Sequence, residues 1–194
     1  PTPAIPSISV AQIENLSEDF VMGADVSSLI SLENSGVKFY NFQGQEQDLL
    51  KTLSDSGINC IRVRVWLDPY DMNGNGYGGG NCDLNNALAL GLRAKEYGMK
   101  LFLDLHYSDF WADPGKQQVP KAWKNLSFTE KSDAIAAYTA EALQTLSDAG
   151  IEVSMVQIGN ETTGGFCGEW SAQGQYTLMA RAAQAARQTS PDTQ

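Results

Sequence analysis

The chain has 194 residues, 42% hydrophobic and 19% charged, a balance that fits one well-buried globular domain and excludes a disordered chain. Against 23 Asp plus Glu stand 13 Lys plus Arg, a formal net charge of -10 that argues against nucleic acid or an anionic membrane surface as partner and in favour of a neutral ligand. No apolar run approaches the roughly 20 residues that span a bilayer, and the N-terminus lacks the charged-then-apolar order of a signal peptide.

Residues 1 to 18, with Pro1, Pro3 and Pro6 and little periodicity, read as a leader or linker, and residues 19 to 194 as the fold. Phe20 to Leu29 is expected to hold the first strand and its outgoing turn. A unit then recurs in which a helical stretch ends at Gly and an apolar β-type run follows. The joints are Gly57 before INCIRVRVWL, Gly98 before MKLFLDLHY and Gly150 before IEVSMVQIGN. Asp83 is placed to cap the helix running to Tyr97, and Ser127 with Glu130 forms a capping box. The helix after Ser127 carries Ile135, Tyr138, Ala142 and Leu146 at intervals of three or four, which gives one buried stripe. Gln173 to Thr189 reads as the last helix. Four βα units follow from this count, and alternating β and α implies a parallel sheet with right-handed crossovers.

An open doubly wound sheet and a (β/α)8 TIM barrel share that pattern. Period two puts Ile61, Val63 and Val65 on one face of their strand, with Arg62, Arg64 and Trp66 on the other. Phe102, Asp104 and His106 likewise oppose Leu101, Leu103 and Leu105. Charges on one face are costly in a sheet covered by apolar helices on both sides, and they fit a barrel interior leading to a polar mouth. The barrel is favoured on that ground. A complete one takes roughly 250 residues, so the chain is expected to supply about the first four βα units.

Asn160-Glu161 stands where an apolar strand meets a Gly-rich loop, which in a barrel is the mouth from which catalytic groups project. A carboxyl beside a neutral amide suits glycoside cleavage, although a Glu at a strand end is often merely solvated. Strict alternation would send the two side chains to opposite faces, so the catalytic reading also requires the strand to become irregular there. His106, the sole histidine, ends the preceding strand; a lone strand histidine is more often structural than catalytic. No metal and no cofactor are expected, because a zinc site would have to be completed by carboxylates such as Asp104 and Asp109. Cys60, Cys82 and Cys167 fit neither a disulfide framework nor a zinc spacing and leave the compartment open. A nucleophilic pair of Cys167 with His106 has nothing in the spacing to support it.

Arg62 and Arg64 have two readings, pairing with Asp104 inside the barrel or holding a catalytic carboxylate ionised; Arg64, nearer the mouth, is assigned the second. The aromatic residues Trp66, Tyr70, Tyr107, Phe110, Trp111, Trp123, Phe166 and Trp170 cluster after strand ends. They suggest a cleft floor, since sugar rings pack their apolar faces on aromatic planes. Asp71-Met-Asn73-Gly-Asn75-Gly76 matches the opening of a calcium loop, yet the acidic twelfth position falls on Cys82. The Gly-rich tract 74 to 80 lacks the Gly-Lys-Ser/Thr ending of a phosphate loop.

The motifs GADVSSL (23 to 29), GVKFYN (36 to 41), IRVRVWLDPYDMNGNGYGGG (61 to 80), LDLHYSDFWADPGKQ (103 to 117), KAW (121 to 123) and MVQIGNET (155 to 162) together resemble the bacterial endo-β-1,4-galactanases of glycoside hydrolase family 53. The resemblance runs from about residue 20 to the end. It implies a (β/α)8 barrel and a retaining mechanism in which Glu161, after strand four, is the acid/base. A second Glu after strand seven, outside this sequence, would be the nucleophile. Asn160 would bind the hydroxyl next to the reacting carbon and Arg64 would steady the nucleophile. His106, Asp109, Trp111 and Asp113 would line the donor side of the cleft, with Trp66 and Trp123 also among the sugar contacts. The implied substrate is the β-1,4-galactan of pectin side chains, met by a secreted or cell-surface enzyme. A clan relative acting on mannan or glucan, and a carbohydrate-binding half-barrel without turnover, are the competing expectations.

Overall fold

The computed structural model describes residue 11, residues 13–17 and residues 19–194. The expected leader, 1 to 18, falls largely outside the described residues. In chain order the elements are β1 (Gly23–Asp25), α1 (Leu29–Asn34), α2 (Leu49–Asp55), β2 (Cys60–Val65), α3 (Leu84–Glu96), β3 (Lys100–Leu105), α4 (Phe128–Asp148), β4 (Val153–Ile158) and α5 (Ala172–Thr189), with a short 3-10 turn at Lys121–Trp123 before α4. The four strands form one sheet in the order β1-β2-β3-β4, every neighbouring pair parallel. A doubly wound sheet reverses its strand order at a switch point, whereas these strands run in chain order as a barrel wall does.

The helix-to-strand joints are built as the sequence suggests. Gly57, Gly98 and Gly150 take φ of 89°, 68° and 67°, a left-handed turn in which a Cβ would be strained. Asp83 accepts from the Asn86 N–H at the start of α3, and Ser127 and Glu130 close a reciprocal capping box on α4. From α4, Ile135, Ala142 and Leu146 are buried against the sheet, and Tyr138 packs partly buried beside them.

The first βα unit departs from expectation. β1 is only three residues long, because Phe20 to Met22 are held by one side chain instead of a strand ladder. The Asn59 amide donates to the Phe20 carbonyl, its oxygen accepts from the Met22 N–H, and the backbone N–H groups of Asn59 and Cys60 both reach the Met22 carbonyl. Two helices, not one, separate β1 from β2. Arg93 on α3 joins them, with both arms on Glu33 at 2.8 Å and one of them also on Asp48 at 3.1 Å.

Side chains of β2 and β3 sort by period two. Ile61, Val63, Val65, Leu101, Leu103 and Leu105 are fully buried in the core under the helices. On the opposite face Arg62 reaches Asp25 at 2.6 Å and Asp104 at 2.5 Å, and lies 5.7 Å from the centre of the Phe102 ring. Burial by itself would raise the Asp25 carboxyl. Hydrogen bonds from the Ser27 hydroxyl and N–H, with the Arg64 and Arg62 guanidiniums, outweigh it and hold the group below its ordinary value.

Two outcomes follow from these joints and pairs. Ser127→Ala and Gly98→Ala should each lower stability by about 1 kcal/mol, read as a shift of the urea midpoint, the first by opening the capping box and the second by forcing a Cβ into the left-handed region. Because Asp25 is depressed in the folded state, its contribution is present above the unfolded value of 3.8 and is lost as pH falls through the lower folded one. The stability gap between the parent and Asp25→Asn should therefore be widest near neutral pH and close in acid; a gap unchanged at pH 2 would contradict this.

Candidate active site

The polar residues of the inner face converge at the C-terminal ends of β2, β3 and β4. Arg62 leaves β2 and spans three neighbours through one nitrogen, Asp104 at 2.5 Å and the side-chain oxygens of Gln157 and Asn160 at 3.3 Å each. Asp104 is fully buried, and the oxygen that takes Arg62 also meets His106 Nε2 at 3.0 Å. His106, buried as well, accepts at Nδ1 from Trp66 Nε1–H at 3.2 Å and from the Ala112 N–H at 3.1 Å. Those contacts leave the ring proton on Nε2 and assign that bond as donation to Asp104.

Strand β4 stops at Ile158, and the next residues break its alternation. Gly159 has φ of 82° and Glu161 φ of 49°, so the irregularity that the catalytic reading requires is present. Asn160 is buried: its amide donates to the Ala112 carbonyl at 2.8 Å, and its oxygen faces Arg62. One amide hydrogen of Asn160 has no acceptor among the described residues. The next residue, Glu161, is exposed, and its carboxylate has no hydrogen-bond or ion partner among the described residues. Gln117, buried, donates to the backbone carbonyls of Asn160 at 2.8 Å and Glu161 at 3.4 Å. Gly164 lets the β4–α5 loop pass over Pro114, since a Cβ there would collide with the Pro114 carbonyl.

Arg64 separates from Arg62. It approaches Asp25 at 3.6 Å and Ser28 Oγ at 3.2 Å, its guanidinium lies 4.3 Å from the centre of the Trp111 ring, and its buried Nε–H has no partner among the described residues. The two readings thus divide between the two arginines: Arg62 pairs with Asp104, and Arg64 keeps a donor free.

The aromatic set divides by burial. Phe110, Trp111 and Trp170 are exposed, at 42%, 41% and 57%, and are able to meet a sugar face. Trp66, Tyr107 and Phe166 are fully buried. Trp66 lies beneath Phe110 with ring centres 4.9 Å apart, so it supports the cleft from below instead of forming its surface. Trp123 is turned into the core, edge-on to Tyr138 at 6.0 Å, and offers no plane to a ligand. Both departures have one cause, which is that a large apolar plane near a strand end fills the space under the loops as readily as it faces the cleft.

A groove of about 800 Å³ runs beside the mouth, lined by Tyr77, Asp109, Phe110, Trp111, Lys121 and Trp170 among others; Glu161 is not in its wall. Asp109 there closes a loop, accepting from the Lys121 N–H at 2.7 Å, and burial pushes its carboxyl above the ordinary range. Asp113 accepts from the Gly115 N–H at 2.8 Å and faces Lys116 at 3.5 Å. Outside this groove, at the end of β4, the anchored Asn160 amide and the Glu161 carboxylate stand side by side.

Other candidates are occupied by structure. Asp71 uses both carboxylate oxygens inside its own loop, on the N–H groups of Asn73 and Asn75 and on the Asn75 amide, which accounts for the calcium-like spacing. No group of three or more His, Cys, Asp or Glu that could hold a metal ion is found among the described residues. All three cysteines are free and buried, and burial pushes the Cys167 thiol up to about 12, which removes it as a nucleophile at neutral pH. Sequence reasoning did not assign Asp25, Ala112 or Gln117. Asp25 was findable as the acid opposite Arg62 across a parallel pair, whereas Ala112 acts through its peptide and carries no signal.

The model for glycosyl hydrolase family 53 matches residues 21–194. The endo-beta-1,4-galactanase of Bacillus subtilis (strain 168) is 53% identical over 180 residues, covering 93% of this chain and 42% of that protein. A probable arabinogalactan endo-beta-1,4-galactanase A of Aspergillus terreus is 40% identical over 159 residues, covering 82% of this chain and 43% of its own length. Among solved structures, the GH53 catalytic domain of Ignisphaera aggregans superposes with a TM-score of 0.91 at 39% identity, over 96% of this chain and 53% of that one. The chain thus spans about half the length of the relatives it matches, and its four strands correspond to an arc of their TIM barrel. With these matches added to the motifs, the strand order and the mouth geometry, the chain belongs to glycosyl hydrolase family 53.

Proposed function

We propose that the protein to which this chain belongs is an endo-acting, retaining β-1,4-galactanase. The observation that carries the reading is the end of β4, where a left-handed backbone presents the free carboxylate of Glu161 beside the anchored amide of Asn160. Retaining hydrolysis uses two carboxyl groups about 5 to 5.5 Å apart. In the first step Glu161 gives its proton to the departing glycosidic oxygen while the second carboxylate attacks the anomeric carbon. In the next, Glu161 takes a proton from water, and that water displaces the enzyme carboxylate from the sugar. The free amide hydrogen of Asn160 suits the neighbouring hydroxyl. The unpartnered Nε–H of Arg64 suits the attacking carboxylate, whose carrier is expected after strand seven. Trp111, exposed and lying against the Arg64 guanidinium, offers a sugar plane, and Asp109 and Asp113 stand in the same β3–α4 loop, with the buried His106 at its start.

The substrate class is read as neutral galactan, from the printed activities of the relatives and from a chain of net charge -10 that disfavours polyanions. A secreted or cell-surface location accompanies it, since an endo-acting enzyme has to meet its polymer outside the cell.

Two measurements test this on a full-length enzyme carrying the chain. Reducing-sugar release from a panel of polysaccharides should favour galactan; preference for mannan or glucan would overturn the substrate. Glu161→Gln should lower galactan hydrolysis by roughly 10² to 10⁴-fold, with a smaller loss for substrates that have a good leaving group and recovery on adding azide. Near-parental hydrolysis by that variant would remove Glu161 from the role.

A further inference from the structure

We propose that His106 is a positioning residue for the reaction at Glu161, acting through the backbone of Ala112 and not on the sugar. The inference rests on reading Glu161 as the acid/base. Its ground is a closed circuit of hydrogen bonds. His106 Nε2 donates to Asp104 at 3.0 Å, Arg62 spans from Asp104 at 2.5 Å to Asn160 Oδ1 at 3.3 Å, Asn160 Nδ2 donates to the Ala112 carbonyl at 2.8 Å, and the Ala112 N–H returns to His106 Nδ1 at 3.1 Å. The ring is fully buried, so in this arrangement it has no face for a ligand.

Both partners of Nδ1, the Ala112 N–H and the Trp66 indole N–H, are donors only, and a proton on Nδ1 would oppose both. The ring and Asn160 therefore hold the two peptide groups that flank Ala112, the ring taking the N–H of the Trp111–Ala112 peptide and Asn160 the carbonyl of the Ala112–Asp113 peptide. Ala112 immediately follows Trp111, and Asn160 immediately precedes Glu161. The circuit thereby sets the sugar plane of the β3–α4 loop against the carboxyl of the β4 end.

Two substitutions separate this role from direct contact with substrate. His106→Asn keeps an acceptor close to the Nδ1 position and gives up the bond to Asp104. His106→Gln keeps a donor at the Nε2 end and gives up the acceptor for Ala112. On galactan, with the full-length enzyme, kcat should stay within about 10-fold of the parent for Asn and fall by roughly 100-fold for Gln, with KM moving less than kcat, as misplacement of the reacting groups predicts. The reverse ranking, or parental kcat in both variants, overturns the proposal.

A spectroscopic arm covers the case in which either variant fails to fold. In the 15N-histidine-labelled parent enzyme, the imidazole resonances of His106 should report a proton on Nε2 and none on Nδ1, and the Ala112 amide should be protected from exchange. A protonated Nδ1 or a freely exchanging Ala112 amide overturns it. Glu161→Gln in the same assays keeps the two readings apart. Parental activity there would remove the acid/base role, whereas the tautomer and the amide protection would still decide the clamp.

Discussion

Asp104 places a carboxylate where no water reaches it, and a charge in that position persists only if cations and donors are brought to it. Arg62 and His106 meet that demand on a single oxygen. Because one partner comes from β2 and the other from the end of β3, the pairing holds the β2–β3 register, in which Arg64 lies opposite Asp104. A slip of one residue would put the guanidinium among the leucines and the carboxylate under the helices. The same pairing leaves Arg62 within reach of Asn160, so the electrostatics of the interior extend into the mouth.

Backbone conformation does the remaining work of aiming side chains. Tyr107 and Glu161 both adopt left-handed φ, 52° and 49°, each directly after an inner-face polar residue. Such positions cost about 1 to 3 kcal/mol for a residue with a Cβ and are held only where neighbours over-determine them. For Tyr107 the compensation is visible: its ring is fully buried and its hydroxyl meets Thr139 at 2.8 Å. For Glu161 it comes from the backbone, through Gln117 and the anchored Asn160. A regular strand would have sent one of the Asn160 and Glu161 side chains away from the mouth.

The two arginines show how similar residues acquire different work. Arg62 and Arg64 stand two apart on one strand and face the same way. Two residues of height along the strand change what each meets, a ring of acceptors for Arg62, and for Arg64 an aromatic face with an Nε–H unfilled among the described residues.

The sequence by itself determined the repeating βα units, the left-handed glycines at their joints, the capped starts of α3 and α4, and the placing of Arg62, Arg64, Asp104 and His106 on one face. All of these depend on local rules: a φ only glycine tolerates, a side-chain oxygen near free N–H groups, and the two-residue period of a strand. The Asn160-Glu161 pair was legible through its place at a strand end and through family resemblance. Tertiary structure alone decided the shortness of β1, which follows from Asn59 some 37 residues away in the chain capturing Met22. It also decided which aromatic planes reach the cleft and which, like Trp66 and Trp123, hold it up from beneath. The anchoring of Ala112 belongs to the same class, since a backbone N–H and carbonyl are common to nearly every residue and gain a role only when the fold brings His106 to the one and Asn160 to the other.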